Sequence, residues 1–350
     1  MINNYPNHRR LHCETGAFVS MMEYYGLEMS EAMAFGIGSG LYFLYTPYIK
    51  IMGMTYPIFR SLPLSIIRDA SKRLGLNYHE LKFGKDVEKA TSTLDALVEK
   101  QIPVGVSVDG GGLTYFARIG QLSATIQGGL HMNGHIICIV GKEGSRYYIA
   151  DTDFRLPNDD YVTLEESTMR EIRFASGFAS PHGLLFYIDG MTKDLLAPEK
   201  LKPAIVAGLK RSVHNILGIP FRYFGPKGIH YFANDFKTWE QKYPEKRVDY
   251  LVLWLYRFIE RAGTGGAAYR YLYADFLKEA AELFQSEVLS DCQTIMRQAA
   301  DGWRQFSIDC NQYIKREGVT LNEMADILEE ISQYEKTAFT KIKKEFLKHQ

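Results

Sequence analysis

A cysteine next to a histidine is the first feature of this 350-residue chain that could do chemistry. Cys13 follows His12 in the stretch RRLHCETGAF, directly before a segment that reads as a helix. A thiol at the start of a helix lies at the positive end of the helix dipole, which favours the thiolate, the nucleophilic form. Arg9 and Arg10 add positive charge if their side chains point the same way. Cys13 is therefore a candidate nucleophile, and the alternative is a small buried apolar residue.

A histidine and an aspartate that could serve this cysteine occur later, in the stretch HIICIVGKEGSRYYIAD. The stretch reads as two strands joined by a tight turn. A loop over 142–144, with Gly144 in the left-handed conformation, would place His135 directly across the ladder from Asp151. A four-residue loop would instead pair His135 with Thr152. Because an aspartate can orient a histidine ring, we predict a Cys–His–Asp site, with a purely structural pair as the alternative.

The order of these three residues along the chain is that of papain-like cysteine enzymes. Those enzymes also place an amide side chain upstream of the nucleophile, where it donates a hydrogen bond to an oxyanion. Asn7 lies six residues before Cys13 and is the candidate for this role.

A zinc site is the other arrangement that the nearby side chains could form, and it would use His12, Cys13, His131 and His135. The segment HMNGH carries asparagine and glycine between its histidines, so it is a poor helix for two zinc ligands. We therefore predict no metal. The remaining cysteines, Cys138, Cys292 and Cys310, fall in apolar strand or helix segments and are predicted to be structural.

Composition restricts the class of protein. The chain has 41 Lys and Arg and 41 Asp and Glu, so its balance gives no reason to expect nucleic acid or an anionic membrane as a partner. Four cysteines without a CxxC spacing favour reduced thiols over a disulfide framework. The charge-poor segments 34–49 and 119–130 are too short or too polar to span a bilayer, and no apolar signal core follows the N-terminus. We expect a cytoplasmic protein without a membrane span.

Periodicity then indicates which elements carry the candidate residues. The predicted N-terminal helices cover 13–25, 61–76 and 93–102, and the predicted strands cover 103–109, 135–142, 146–151 and 183–189. A polar segment over 190–203 is a candidate linker, and helical spacing dominates afterwards, over 248–263, 273–284 and 321–347. The prediction is an α+β domain over 1–190, with a helix plus an antiparallel sheet, followed by a mainly helical domain over 191–350.

The motifs themselves resemble a known family. HCETGAFVSMMEYYGLEMSEAMAFGIGSGLYFLY is similar to the N-terminal domain of the butirosin biosynthesis protein H family, where a His-Cys pair opens a helix before a GL..SE...FG.G.GL.F.Y stretch. NGHIICIVGKEGSRYYIADTDF resembles the histidine and aspartate strands of that family. FIERAGTGGAAYRYLYADFLKEAAEL resembles the glycine-rich motif of the helical domain that usually follows.

The resemblance implies a papain-like fold and an acyltransferase that moves an acyl chain from an acyl carrier protein to an aminoglycoside amine. By position, Cys13 would be the nucleophile, His135 the general base and Asp151 the residue that orients it. The chain departs from the family in having Asn7, not glutamine, upstream of the cysteine; the backbone N–H of Cys13 could supply a second oxyanion donor. Flanking residues are predicted to bind substrate, namely His12, Glu14, Gly38 and Gly134.

Two glycine-rich segments could also bind a ligand. GIGSGL, over 36–41, lacks the preceding strand of a nucleotide loop and is predicted to be a tight turn near the site. ERAGTGGAAYR, over 260–270, precedes a helix whose N-terminus could bind an anion such as a phosphopantetheine phosphate. The residues assigned to that site are Arg261, Thr264, Gly265 and Arg270. A plain connection between two helices, capped by glycine, is the alternative.

The expected reaction is acyl transfer in specialised metabolism, from a phosphopantetheine-linked thioester on a carrier protein or coenzyme A to a small amine. No bound cofactor is expected, and a homodimer is left open. The same three residues would serve a cysteine peptidase or amidase, because nucleophile and base are shared by these reactions. A third hypothesis is a catalytically silent binding module of the same fold.

Overall fold

The computed structural model of the chain describes residues 1–50, 55–113, 115, 133–152, 161–177, 179–189, 191, 193–261 and 263–350. These residues form two compact units. The first unit consists of Met1–Glu31 and Leu74–Ala197, and the second of Ala32–Arg73 and Pro198–Gln350.

The described elements, in chain order, have the following bounds. The strands are β1 Leu41–Leu44, β2 Ile58–Arg60, β3 Asn77–Leu81, β4 Val104–Asp109, β5 Asn133–Glu143, β6 Arg146–Ala150, β7 Val162–Glu165 and β8 Leu185–Asp189. The α-helices are α1 Cys13–Tyr24, α2 Glu31–Ile37, α3 Ser65–Leu74, α4 Val87–Glu99, α5 Glu166–Arg173, α6 Pro198–Val213, α7 Gly225–Phe236, α8 Trp239–Lys242, α9 Glu245–Glu260, α10 Arg270–Phe284, α11 Glu287–Ile314 and α12 Leu321–Lys341.

The first unit is built on a six-stranded sheet with the order β3-β8-β4-β5-β6-β7, in which every pairing is antiparallel. Alternate residues of β4 and β5, such as Val106 and Ile137, share a buried apolar cluster with Leu94 of α4 and Met169 of α5. The predicted α+β class, with an N-terminal helix plus an antiparallel sheet before a helical region, is confirmed.

The hairpin of β5 and β6 has a shorter loop than predicted. Glu143 pairs with Arg146, so the loop has two residues, and Gly144 has the expected left-handed conformation (φ 57°). An irregularity between Ile139 and Gly141 shifts the register again, before the strands reach His135 and Asp151. The predicted direct pairing of His135 with Asp151 is therefore wrong. The observed register places them diagonally, a separation that long side chains can still bridge.

The predicted helix boundaries were accurate where local signals were strong. Helix α1 ends at Tyr24, and Gly26 (φ 81°) follows in the left-handed conformation that closes it. Helix α4 starts at Val87, not at residue 93, because the Asp86 side chain caps it by accepting from the Lys89 N–H. The predicted linker over 190–203 is partly helical, since α6 starts at Pro198.

The second unit combines the antiparallel ribbon β1–β2 with long helices. Residues 32–73, which the sequence places in the first domain, belong to it because their aromatic side chains pack there. The Phe35 ring stacks on Tyr269 at 5.5 Å, and the Phe43 ring lies 6.0 Å from Trp303. The division into domains at residue 190 stays a prediction. None of the described helices is long and apolar enough to cross a membrane.

Candidate active site

The structure brings Cys13, His135 and Asp151 together in the first unit. His135 Nε2 lies 2.9 Å from Asp151 Oδ2, and the Cys13 side chain is within hydrogen-bonding reach of the same ring. Because Asp151 uses Nε2, Nδ1 is the ring nitrogen left for the thiol. The site is largely enclosed: Cys13 is 9% exposed, and the side chains of His135 and Asp151 are 12% and 0% exposed.

Cys13, the candidate nucleophile, is the first residue of α1, and two side chains stabilise the start of that helix. The His12 ring caps the helix, with Nδ1 3.4 Å from the Thr15 nitrogen. The Glu31 carboxylate accepts from the backbone N–H of Leu11 at 2.8 Å and of His12 at 3.1 Å. It also accepts from the Thr15 hydroxyl at 3.1 Å. Burial raises the pKa of Glu31, although these three donors oppose the shift.

A close backbone contact fixes α1 beside the aspartate. The Arg10 N–H donates to the Thr152 carbonyl at 2.8 Å, so the chain before Cys13 is hydrogen-bonded to the residue after Asp151. Gly16 permits this approach, because a Cβ there would lie 2.6 Å from Arg10 Cβ and 2.8 Å from Thr152 Oγ1. The arginine charge is directed elsewhere than predicted: Arg10 pairs with Glu23 at 2.5 Å, and Arg9 is exposed.

The histidine is held in its charged form. Burial of the His135 ring disfavours a charge, but the Asp151 carboxylate and the hydrogen bond with Cys13 outweigh that effect and raise the pKa of His135 well above its ordinary value. The shift favours the imidazolium form of the ring next to the thiol. Such a ring can stabilise a thiolate and later return a proton to a leaving group.

Sequence reasoning missed a fourth member of this site. The Tyr115 hydroxyl donates to Asp151 Oδ2 at 2.7 Å, on the oxygen that also meets His135. Tyr115 is 6% exposed and belongs to the apolar cluster under the sheet. It is one of 23 tyrosines in the chain, and nothing in its local sequence marks it. Glu31 was missed for the same reason, since its contacts with residues 11–15 follow no local spacing.

The remaining cysteines contrast with Cys13. Cys138 is buried on β5, and burial raises its pKa to about 12. Burial also raises the pKa of Cys292 to about 12 and that of Cys310 well above its usual range. These three side chains stay protonated thiols in the core, in agreement with their predicted structural role.

Two predicted substrate-binding residues have other surroundings. His12 is 1% exposed and its ring is engaged by Thr15, so the structure gives it a capping role instead. Glu14 is fully buried within α1 and does not face solvent. Gly134 has a φ of 95° next to His135, a conformation that favours glycine. Its contact with substrate and that of the partly exposed Asn7 with an oxyanion stay predictions.

The predicted anion site belongs to the second unit, and its main residues are already used internally. The Thr264 hydroxyl donates to the Ile259 carbonyl at 2.7 Å and accepts from the Gly266 N–H at 3.1 Å. The fully buried Arg270 pairs with Glu335 at 2.8 Å. Both side chains therefore have partners within the unit, as in the alternative of a plain connection between helices, and phosphate binding by Thr264 and Arg270 stays a prediction.

The other glycine-motif residues are also placed in the second unit. Arg261 is exposed, with its Nε 3.2 Å from the Tyr256 hydroxyl. Gly265 has a left-handed φ of 66° in the turn. A Cβ at Gly38 would lie 2.5 Å from Ile66, so this glycine serves close packing. Ligand binding by these three residues stays a prediction.

The metal alternative has little support from the described residues. Within the described ranges, no group of three His, Cys, Asp or Glu side chains could hold a metal ion. His131, which the zinc alternative would use, lies outside the described residues, as does the segment 119–130.

A helix that carries a cysteine, against an antiparallel sheet that carries a histidine held by an aspartate, defines a papain-like protein. Residues 12–152 match the family model "Butirosin biosynthesis protein H, N-terminal", and residues 167–342 match "Domain of unknown function (DUF4872)", which alone spans half of the chain. The chain thus belongs to the DUF4872 family, and its N-terminal part matches the N-terminal domain of butirosin biosynthesis protein H. The resemblance seen in the sequence is confirmed.

A distant structural similarity was also found. A solved structure from Bacillus anthracis, described as a C39-like peptidase, has a TM-score of 0.33 and 13% sequence identity. The match covers 54% of this chain and 96% of that one, and it is too distant to bear on the reaction. No curated protein matches the chain.

Proposed function

We propose that this protein is a cysteine-dependent acyltransferase that moves an acyl group from a carrier-protein or coenzyme A thioester to a small amine in specialised metabolism. The observation that carries the proposal is the contact of Cys13 with a His135 ring that Asp151 holds in its charged form. The match of the N-terminal part to a butirosin biosynthesis protein supports biosynthesis over protein degradation.

The first half of the reaction acylates the enzyme. The reaction starts from the pair in which His135 already holds the Cys13 proton, and the thiolate attacks the thioester carbonyl to form a new carbon–sulfur bond. The negative oxygen of the tetrahedral intermediate can accept from the Cys13 backbone N–H, which lies in the first turn of α1, where amides have no acceptor within the helix. Collapse breaks the donor's carbon–sulfur bond, and the imidazolium gives its proton to the departing thiolate.

The second half transfers the acyl group. The amine attacks the acyl-Cys13 carbonyl, and His135 takes the proton that the nitrogen loses. The Cys13 thiolate then leaves, which restores the thiolate–imidazolium pair and releases an amide. We place the reaction in the cytoplasm, where the four free cysteines stay reduced.

The test is to incubate the protein with a short-chain acyl coenzyme A and to locate the adduct by mass spectrometry. We expect an acyl group on Cys13, its transfer to an added primary amine, and no adduct in Cys13→Ala. The matched control is Cys310→Ala, which removes a buried core thiol and should acylate as the wild type does.

The other outcomes contradict the proposal in distinct ways. An adduct that is lost to water but never to an amine would indicate a hydrolase. Cleavage of a fluorogenic peptide without acylation would indicate a peptidase. Alkylation of Cys13 by iodoacetamide at the rate of an ordinary thiol, without any adduct, would indicate a silent binding module.

A further inference from the structure

The aspartate of the site shares one oxygen between two donors. Tyr115 Oη lies 2.7 Å from Asp151 Oδ2, and His135 Nε2 lies 2.9 Å from the same oxygen. Both distances are those of strong hydrogen bonds to an ionised acceptor. The aspartate side chain is 0% exposed, so these donors replace solvent around its charge.

A shared acceptor makes the two hydrogen bonds interdependent. A phenol that donates to the carboxylate draws negative charge away from the histidine. It stabilises the carboxylate most when the ring is neutral, because no cation then competes for that oxygen. The tyrosine therefore favours the neutral ring relative to a site that lacks it.

The Tyr115 ring is firmly placed for this purpose. It is 6% exposed and packs in the same apolar cluster as Val106, Val108 and Ile137. Val108 pairs with His135 on the neighbouring strand, so the side chains of both residues lie on the same face of the sheet. The apolar cluster is therefore next to the site. The apolar ring thus anchors the hydroxyl at the aspartate.

We propose that Tyr115 is a positioning residue that acts through Asp151 and limits how strongly this carboxylate holds His135 in its charged form. The inference rests on the proposed function, since the charge of the ring matters only if His135 serves Cys13. A shared carboxylate oxygen would keep the ring able to release its proton to the leaving thiol and to accept one from the amine.

Other titratable or charged groups near this pair lie on α1, on β5 and in the N-terminal segment. Cys13 on α1 faces the His135 ring, and Cys138 on β5 feels the charge of Asp151. The buried hydroxyl of Tyr5 neighbours the Cys138 thiol, and the charge of Arg10 acts on that hydroxyl. None of these groups changes in a Tyr115 variant, so a shift in the His135 titration reports on the phenol.

The test is the titration of His135 by NMR in protein with labelled histidine, assigned by its absence in His135→Gln. Tyr115→Phe should move the midpoint upward by roughly half a pH unit to one unit, the size expected for one hydrogen bond to a charged group. The matched control is Tyr147→Phe in the same unit. It loses an equivalent 2.6 Å bond to Asp95 and should leave the midpoint unchanged.

A second variant has the opposite sign and keeps the shape of the side chain. Placing 3-fluorotyrosine at position 115 makes the hydroxyl a stronger donor and should move the His135 midpoint downward. An unchanged midpoint in both variants, or a shift in the same direction in both, would overturn the inference. If Tyr115→Phe does not fold, the fluorinated variant alone decides.

These measurements need no substrate, so they separate this inference from the proposed function. Opposite shifts in a protein that never acylates Cys13 would support the tyrosine's role and refute acyl transfer. Normal acyl transfer, with a His135 titration midpoint that neither variant changes, would support the proposed function and refute the role of Tyr115.

Discussion

Two buried pairs of opposite charge, one in each compact unit, show what distinguishes a site from a structural contact. Arg270 and Glu335 are both 0% exposed, and the three guanidinium nitrogens donate to Glu335 or to carbonyl oxygens. Glu335 also accepts from Trp303 Nε1 at 3.1 Å. His135 and Asp151 are similarly enclosed, but the histidine can lose its charge and has a thiol as a further neighbour.

The two pairs differ in whether the positively charged side chain can release its proton. An arginine keeps its proton at any pH that a protein tolerates, so its pair can only hold the fold together. A histidine changes charge within the physiological range, and its pair can therefore take part in chemistry. Burial alone does not identify a functional ion pair; a buried pair with a member that can exchange a proton is the better candidate.

The strongest way to break this comparison is to remove the arginine. Arg270→Met leaves Glu335 buried without its cation and should lower the free energy of unfolding by about 3–5 kcal/mol. Urea denaturation measures this loss. Arg297→Met, which removes a pair with Asp275 that is about half exposed, should cost less than about 1 kcal/mol. Equal losses in the two variants would contradict the structural role of the buried pair.

The corresponding change in the site should have its main effect on the rate of acylation. His135→Gln should slow acylation of Cys13 about 100-fold or more, because the proton acceptor is lost. Rates of adduct formation by mass spectrometry measure this effect. His79→Gln is the matched control: His79 also pairs with an aspartate, Asp189, at 3.0 Å, but that pair is exposed and has no assigned role. A similar slowing in the control would argue against a specific function of His135.

The stability of the start of α1, which carries Cys13, should depend on the buried carboxylate of Glu31. Glu31→Ala removes three hydrogen bonds at residues 11, 12 and 15, and we expect a loss of about 2 kcal/mol in the free energy of unfolding, with slower alkylation of Cys13. Glu23→Ala removes a more exposed acid from the last turn of the same helix. That control should cost less than about 1 kcal/mol and leave the alkylation rate unchanged.

The smallest effect is the pH dependence of stability. The pKa of His135 is raised in the folded state, so its contribution is fully present below the unfolded value of about 6.5 and is lost as pH rises through the folded pKa. The difference in unfolding free energy between Cys13→Ala and Cys13→Ala/His135→Gln should therefore shrink from pH 6 to alkaline pH. The Cys13→Ala background removes titration of the thiol. A constant difference would contradict a raised histidine pKa.

The sequence was informative about this site where the signals were local. The polar start of α1, the strand alternation around His135 and the left-handed Gly144 are all visible in the chain itself, and they suffice to predict a helix and a hairpin that present Cys13, His135 and Asp151. The loop length and the irregularity near Val140 were not predictable, because both depend on how neighbouring strands pack. Together they changed the pairing without separating the side chains.

Contacts between distant segments could not be predicted. Tyr115 and Glu31 reach the site across 36 and 19 residues, and no periodicity links them to Asp151 or His12. The contacts of the glycine-rich motif over 260–270 could not be predicted for a related reason. Its glycines predicted a turn correctly, but Arg270 turns inward because Glu335, 65 residues away, offers a buried carboxylate. A local pattern cannot reveal whether an arginine already has a partner.

Gly16 limits the substitutions that the thiol-bearing helix can accept. Its missing side chain leaves room for the Arg10 side chain and the Thr152 hydroxyl beside the helix that bears the thiol. Any larger side chain at position 16 would therefore have to displace one of these two neighbours, and with it the contact that joins this helix to the residue after Asp151.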